Sequence, residues 1–174
     1  MDPVAESFRR IVEEIYWQES LEEAERTLEE RIRNMDRDLR ELLLERRREY
    51  CGDPKSVLSV LSLEALLSSD DNADSTEKKL AVLKAMVSSA FLLQCTPTWQ
   101  ELDSEEKAWI LAPLYRASYG LELASKGSHV DEFHLSHAVE MLEIALQRAE
   151  MLGLIEEMRE HIEKLASKLL EESI

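Results

Sequence analysis

The stretch from Asp103 to Gly153 constrains the fold more than any other part of this sequence. It is typical of two long helices, at about 104–126 and 129–152, with Gly127 between them. At about 100° per residue, the apolar side chains of both helices spread around most of the helix circumference. Helices that are apolar over so wide an arc are buried on more than one side. We therefore expect these two helices to form the centre of a bundle.

The scarcity of turn-forming residues indicates the fold class. Only four Gly and four Pro occur in 174 residues, which leaves few places for the chain to turn. We predict an all-α fold, a helical bundle of about six or seven helices that forms a single domain over 1–174. Within it, 1–50 are expected to form an N-terminal helical hairpin or a long-helix arm, and 53–174 a compact helical body.

Two apolar stripes with different phases run through the first fifty residues. Ser20 and Glu23, which lie between the stripes, have the spacing of a capping box. The alternatives are a helix break near Ser20 and one long helix that presents opposite faces to two partners. The capping-box spacing favours the break.

The second stripe has the spacing of a coiled-coil seam. Its apolar residues are four, three, four and three positions apart, with Glu and Arg crowded beside them. A helix over 21–49 would either pack on its own bundle as an edge helix or join a second chain in a homodimer. The expected interface residues are Leu28, Ile32, Met35, Leu39 and Leu42.

One dense basic cluster, Arg46 to Arg48, follows that seam. It lies near the expected end of the helix, where the helix dipole favours positive charge. That structural reason accounts for the cluster without an anion site.

Polar side chains that face inward on the two central helices form the candidate ligand site. His134 and His137 lie three residues apart, on the side away from the Glu-rich face of their helix. Buried charges need partners, so inward arginines beside them indicate either a pocket for an anionic ligand or structural pairs with acids. The candidate ligand-binding residues are Arg116, Tyr119, His134, His137 and Arg148.

No metal site and no cofactor are predicted. A ferritin-type site would need a Glu three residues before a His on each of two helices, but Asp131 and His134 occupy those positions before His134 and His137. The only cysteines, Cys51 and Cys95, are too few for a disulfide framework or for a zinc site built from thiolates alone. We expect both to be reduced thiols in the cytoplasm.

The charge of the chain bears on its partners. The formal net charge is −16, from 37 acidic and 21 basic residues, which opposes direct binding to nucleic acid or to anionic membranes. No apolar run reaches the roughly eighteen residues of a membrane span, and the first residues lack the pattern of a signal peptide. We therefore expect a cytoplasmic protein.

The sequence contains no catalytic signature, so function is approached through binding. The first hypothesis is a non-enzymatic protein-interaction or scaffold protein that acts through its helical faces as a homo-oligomer. The alternative is a small-molecule or metal-binding bundle with a polar pocket near Arg116, His134, His137 and Arg148. A third hypothesis is an acidic mimic of nucleic acid that captures a basic DNA-binding protein.

Overall fold

A computed structural model describes residues 2–68 and 75–172, and within them the chain forms nine α-helices and two short 3-10 turns, with no strand. The prediction of an all-α bundle is confirmed. The turns are Pro54–Val57, before α4, and Phe91–Cys95, before α6. The helices are α1 (Pro3–Tyr16), α2 (Leu21–Arg33), α3 (Arg37–Gly52), α4 (Leu58–Ser68), α5 (Ser75–Ala90), α6 (Pro97–Glu101), α7 (Ser104–Ala124), α8 (Glu132–Met151) and α9 (Leu154–Glu172).

Helices α7 and α8 form the centre of the bundle, as the sequence predicts, and share its largest helix–helix contact. Helix α7 begins with a capping box, in which Asp103 accepts the backbone N–H of Glu106 at 2.8 Å and the Glu106 carboxylate accepts that of Asp103 at 3.2 Å. Twelve of its 21 residues are buried, including Pro113, so it packs on more than one side. Asp131 caps α8.

The first two helices join this core. Helix α1 ends at Tyr16, and the Ser20 side chain accepts the backbone N–H of Glu23 at 3.1 Å at the start of α2. The helix break expected near Ser20 is therefore confirmed. Helices α1 and α2 both pack against α7. They contribute Ile15 and Ala24 to the same apolar cluster as the central helices. The core therefore extends across the residue-50 boundary that the sequence indicated.

The continuous helix expected over 21–49 is wrong, because the chain leaves helical geometry between α2 and α3. The Asp36 carboxylate accepts the backbone N–H of Asp38 at 2.7 Å, so it caps the new helix. Arg40 donates back to the carbonyl oxygen of Ile32 at 3.3 Å, at the end of α2. Both ends at the break are thus capped by side chains, which the apolar spacing alone did not show.

The expectation of two reduced thiols is also wrong. Cys51, near the end of α3, forms a disulfide with Cys95 in the second 3-10 turn, with their Cα atoms 5.4 Å apart. A separation of 44 residues in sequence gave no sign of this proximity. Helix α3 itself has no buried residue. The disulfide therefore fastens to the body a helix that contributes little to the core.

Helix α9 packs against α8, α6 and the two 3-10 turns. Its Leu165 packs with Val57 and Leu92 in a second, smaller apolar cluster, while Leu154 belongs to the main core.

None of the helices in the described ranges is long and apolar enough to cross a bilayer.

Candidate functional site

The five residues predicted to bind a ligand lie in two separate places. Arg116, Tyr119, His134 and His137 gather around the ring of Tyr16, which the sequence analysis did not include. We call these five side chains the Tyr16 cluster. Arg148 lies eleven residues beyond the second histidine on α8, which corresponds to roughly 16 Å of helix. The five predicted residues therefore do not form a single pocket.

Helices α1, α7 and α8 converge at the Tyr16 cluster. The hydroxyl of Tyr16 is hydrogen-bonded to Nδ1 of His134. Its ring centroid lies 5.0 Å from that of Tyr119 and 5.5 Å from that of His137. Gly120 of α7 lies close to the backbone of α8, and a Cβ at this position would lie only 3.3 Å from the carbonyl oxygen of His134.

Arg116 is a buried cation that lacks an acidic partner. The residue is 7% exposed, and none of the ion pairs found in the described chain includes it. Its Nε donates to Nε2 of His137 at 3.4 Å, and its Nη1 has no hydrogen-bond partner among residues 2–68 and 75–172. Burial lowers the pKa of Arg116, although the nearby Tyr16 and Glu140 act in the opposite direction. Such a charge costs free energy unless something compensates it.

The contact with Arg116 determines the protonation state of His137. A guanidinium nitrogen can only donate, so Nε2 of His137 accepts and the ring is neutral, with its proton on Nδ1. Burial lowers the pKa of His137, and the positive charge of Arg116 lowers it further. The ring is therefore held in its neutral form by its surroundings.

Two exposed aromatic side chains flank the cluster at the surface. Trp17 is 64% exposed and Phe133 is 76% exposed. The ring of Trp17, just after α1, lies 6.4 Å from the ring of His134. The ring of Phe133, on α8, lies 5.4 Å from it. This patch was not predicted from the sequence, because Phe133 counts among the apolar residues of the second central helix and Trp17 lies where the apolar phase changes.

Arg148 has an acidic, a carbonyl and an aromatic partner. Its Nη1 donates to the Glu25 carboxylate at 2.5 Å and to the carbonyl oxygen of Trp109 at 2.8 Å. The guanidinium carbon lies 4.8 Å from the centroid of the Trp109 ring, a cation–π geometry. Arg148 therefore joins α8 to α2 and α7, and these contacts account for its inward position.

The part of the chain that the structure describes contains no group of three or more His, Cys, Asp or Glu side chains placed to hold a metal ion. The two inward histidines have different partners, Tyr16 and Arg116. The carboxylate of Asp131 lies 3.9 Å from Nε2 of His134.

The predicted seam residues do not share one exposed stripe. Leu28 is buried in the main core and Ile32 packs against it. Met35 lies in the turn between α2 and α3, Leu39 is half-buried and Leu42 is 42% exposed. The break between the helices separates the first pair from the last, so two chains cannot pair along all five positions in this conformation.

Helix α4 presents an apolar surface that the sequence analysis did not single out as exposed. Seven of its eleven residues are apolar, yet none is buried. Ser59 contacts Ser89 of α5 at 3.3 Å, which identifies the face that packs inward. Leu58 and Leu61 lie on the opposite face and are 46% and 39% exposed. The signal in the sequence was the presence of seven apolar residues among eleven, but this composition does not show which of them are exposed.

No protein-family model matches this sequence, and the comparisons with curated proteins and with solved structures gave no match either.

Proposed function

We propose that this protein is a non-enzymatic interaction or scaffold protein that forms a homo-oligomer through α4. The observation that carries the proposal is the exposed apolar face of that helix, with Leu58 and Leu61. Burial of a leucine side chain contributes about 1.5–3 kcal/mol relative to full exposure. A partner that covered this face would recover part of that free energy.

The exposed face has the shape of a helix-packing surface. Leu58, Leu61 and Ala65 follow one another at spacings of three and four, which is a stripe along one face of an α-helix. Ser62 lies beside that stripe. Small side chains at Ser62 and Ala65 would let the backbone of a second helix approach closely. These features favour another helix as the occupant of the face.

Charge favours a second copy of the same chain as that partner. The chain as a whole carries −16, so most of its faces would bring like charges together in a dimer. Residues 54–68 contain one Lys and one Glu, Lys55 and Glu64, so their formal charges cancel. Two α4 helices related by a twofold axis would therefore meet with little repulsion.

The experiment that tests the proposal is light scattering coupled to size-exclusion chromatography. The wild-type protein should elute with the mass of an oligomer, and Leu61→Glu should elute as a monomer. Met151→Glu is the matched control, because Met151 is 75% exposed at the end of α8, a helix that packs against α7 and α9. It should remain oligomeric. An oligomer unaffected by Leu61→Glu would exclude α4 as the interface.

A small-molecule site at the Tyr16 cluster is a second candidate function. The observation that favours it is Nη1 of Arg116, which is buried and without a hydrogen-bond partner. An anion that reached this nitrogen would supply the missing partner. Native mass spectrometry of protein purified from cells should then show a retained ligand that His134→Ala and His137→Ala each release while the helical circular dichroism stays unchanged.

The disulfide between Cys51 and Cys95 argues against the cytoplasmic location expected from the sequence, so a protected pair is the result that we expect in cells. Disulfides persist in oxidising compartments and are rare in the reducing cytosol. Alkylation of the protein in freshly lysed cells, followed by mass spectrometry, reports whether Cys51 and Cys95 are free. Free thiols there would support the cytoplasmic location, and a protected pair would contradict it.

A further inference from the structure

A groove runs between α3 and the body of the protein. Its centre has a volume of about 150 Å³, and clefts of about 570 Å³ and 530 Å³ adjoin the centre. Phe8 and Tyr115 line both the centre and the first cleft, and Ile32 and Met35 line both the centre and the second. The three spaces therefore share parts of their walls, and we call them together the α3 groove.

The inner wall of the α3 groove is apolar. Its side chains come from α1, α2, α6 and α7, and several of them belong to the main core. Helix α3 supplies the outer wall with Leu43 and Leu44. The inner-wall residues that matter here are Phe8, Ile11, Leu28, Ile32, Trp99 and Leu111.

The charged residues that line the α3 groove are all basic. No Asp or Glu from the described residues lines any of its three parts, although the whole chain has 37 acidic residues and only 21 basic ones. Arg31 and Arg46 are ion-paired to acids outside the groove. Among the described residues of this acidic chain, cations and no carboxylates thus line the apolar groove.

Four of these cations form no ion pair with any carboxylate that the structure describes: Arg40, Arg47, Lys55 and Lys107. Arg47 donates only to amide oxygens, at 3.4 Å to the backbone of Gln94 and at 3.1 Å to the side chain of Gln100. Burial lowers the pKa of Lys107, and the positive charges of Arg47 and Arg40 lower it further. The charges of Arg40, Arg47 and Lys107 repel one another across the groove, and an anion between them would relieve that repulsion.

We propose that the α3 groove binds a single-chain organic carboxylate, with its acyl chain against Phe8, Trp99 and Leu111 and its carboxylate between Lys107 and the arginines of α3. Most of the free energy of binding would come from burial of the chain. The cations would select an anionic head group, because cationic and uncharged head groups gain no attraction from them. This site is separate from the α4 face, so it stands or falls independently of the proposed self-association.

The test is isothermal titration calorimetry of the oxidised protein with sodium decanoate below its micelle concentration. Decanoate should bind saturably. Acetate, which has the head group without the chain, and decyltrimethylammonium, which has the chain with a positive head, should give no saturable signal. Phosphatidylglycerol vesicles should not co-sediment the protein, because the apolar wall lies beneath α3. Absence of saturable decanoate binding, or equal binding of decyltrimethylammonium, would overturn the proposal.

Point variants separate this site from general adsorption. Lys107→Met keeps an unbranched side chain and removes the charge, and it should weaken decanoate binding at least tenfold. Arg40→Met should also weaken it, and helical circular dichroism of this variant shows whether the fold survives loss of the contact between Arg40 and the carbonyl oxygen of Ile32. Lys126→Met removes an exposed charge beyond the end of α7 and should bind as the wild type does. Wild-type affinity in both Lys107→Met and Arg40→Met would overturn the proposal.

Discussion

Cys51 is bonded to Cys95 across 44 residues of sequence, and this bond fastens α3, a helix without a buried residue, to the turn that precedes α6. Closing a loop of 44 residues stabilises the folded state by about 4 kcal/mol in the chain-entropy model. We expect the double variant Cys51→Ser, Cys95→Ser to lose about 2–4 kcal/mol of unfolding free energy, measured by urea denaturation.

The same denaturation with dithiothreitol provides the control. Reductant should lower the stability of the wild type to about that of the double variant and should leave the double variant unchanged. A wild type that is insensitive to reductant would contradict the disulfide.

The disulfide should also affect the ligand affinity of the α3 groove. Without its tether, α3 would be held mainly by polar contacts such as those of Arg47 and Tyr50 with backbone carbonyls. Reduction should therefore weaken decanoate binding by tenfold or more at a temperature where helical circular dichroism is unchanged. If the reduced protein bound decanoate as tightly as the oxidised one, α3 would not be the outer wall of the site.

Arg116 is a position where removal of a charge should stabilise the protein. Replacement with Met keeps most of the side-chain volume and removes a buried cation that has no acidic partner. Replacement of buried charges by apolar residues of similar size is often neutral or stabilising, so we expect a gain of about 1–3 kcal/mol in unfolding free energy for Arg116→Met. A loss of stability would show that Arg116 has a compensating partner in solution.

His137 should make the stability of the protein depend on pH. Its pKa in the folded state is lowered, by burial and then by Arg116, whereas the unfolded chain has the ordinary value of 6.5. As the pH falls below about 6.5, the unfolded state therefore binds more protons than the folded state, and stability decreases. Above that pH the contribution of His137 is fully present.

The variant His137→Gln should remove that part of the acid sensitivity, which is at most about 1.4 kcal/mol per pH unit. Unfolding free energies between about pH 5 and 7 provide the comparison with the wild type. The pKa of His161 is also lowered by burial, so His161→Gln is the matched control and should leave the contribution of His137 in place. By NMR titration, Arg116→Met should raise the pKa of His137 without restoring it fully, because burial is the larger cause. An unchanged pKa would contradict the contact between the two residues.

The sequence predicted the features that depend on local patterns. The capping spacing of Ser20 and Glu23, the helix break near Ser20 and the wide apolar arcs of α7 and α8 are all properties of neighbouring residues. The missed features depend on residues far apart in the chain. Glu25 and Arg148 are separated by 123 positions, and nothing in their local sequence indicates that they pair.

The candidate sites show the same limit. Helical spacing placed His134 and His137 on an inward face, but it did not show that Tyr16 from another helix would lie between them. The basic cluster near the end of α3 was explained by the helix dipole. That explanation did not show that Arg47 faces an apolar groove opposite Lys107, because the groove forms only when α3 folds back over α1 and α7.

The measurement that tests the central claim most directly is native mass spectrometry of the wild-type protein beside Leu61→Glu. Self-association through α4 predicts that the wild type carries twice the mass of one chain, or a higher multiple, and that the variant carries the mass of one. A wild type that remains a single chain at every concentration would contradict self-association. An oligomer that persists in the variant would contradict the role of α4.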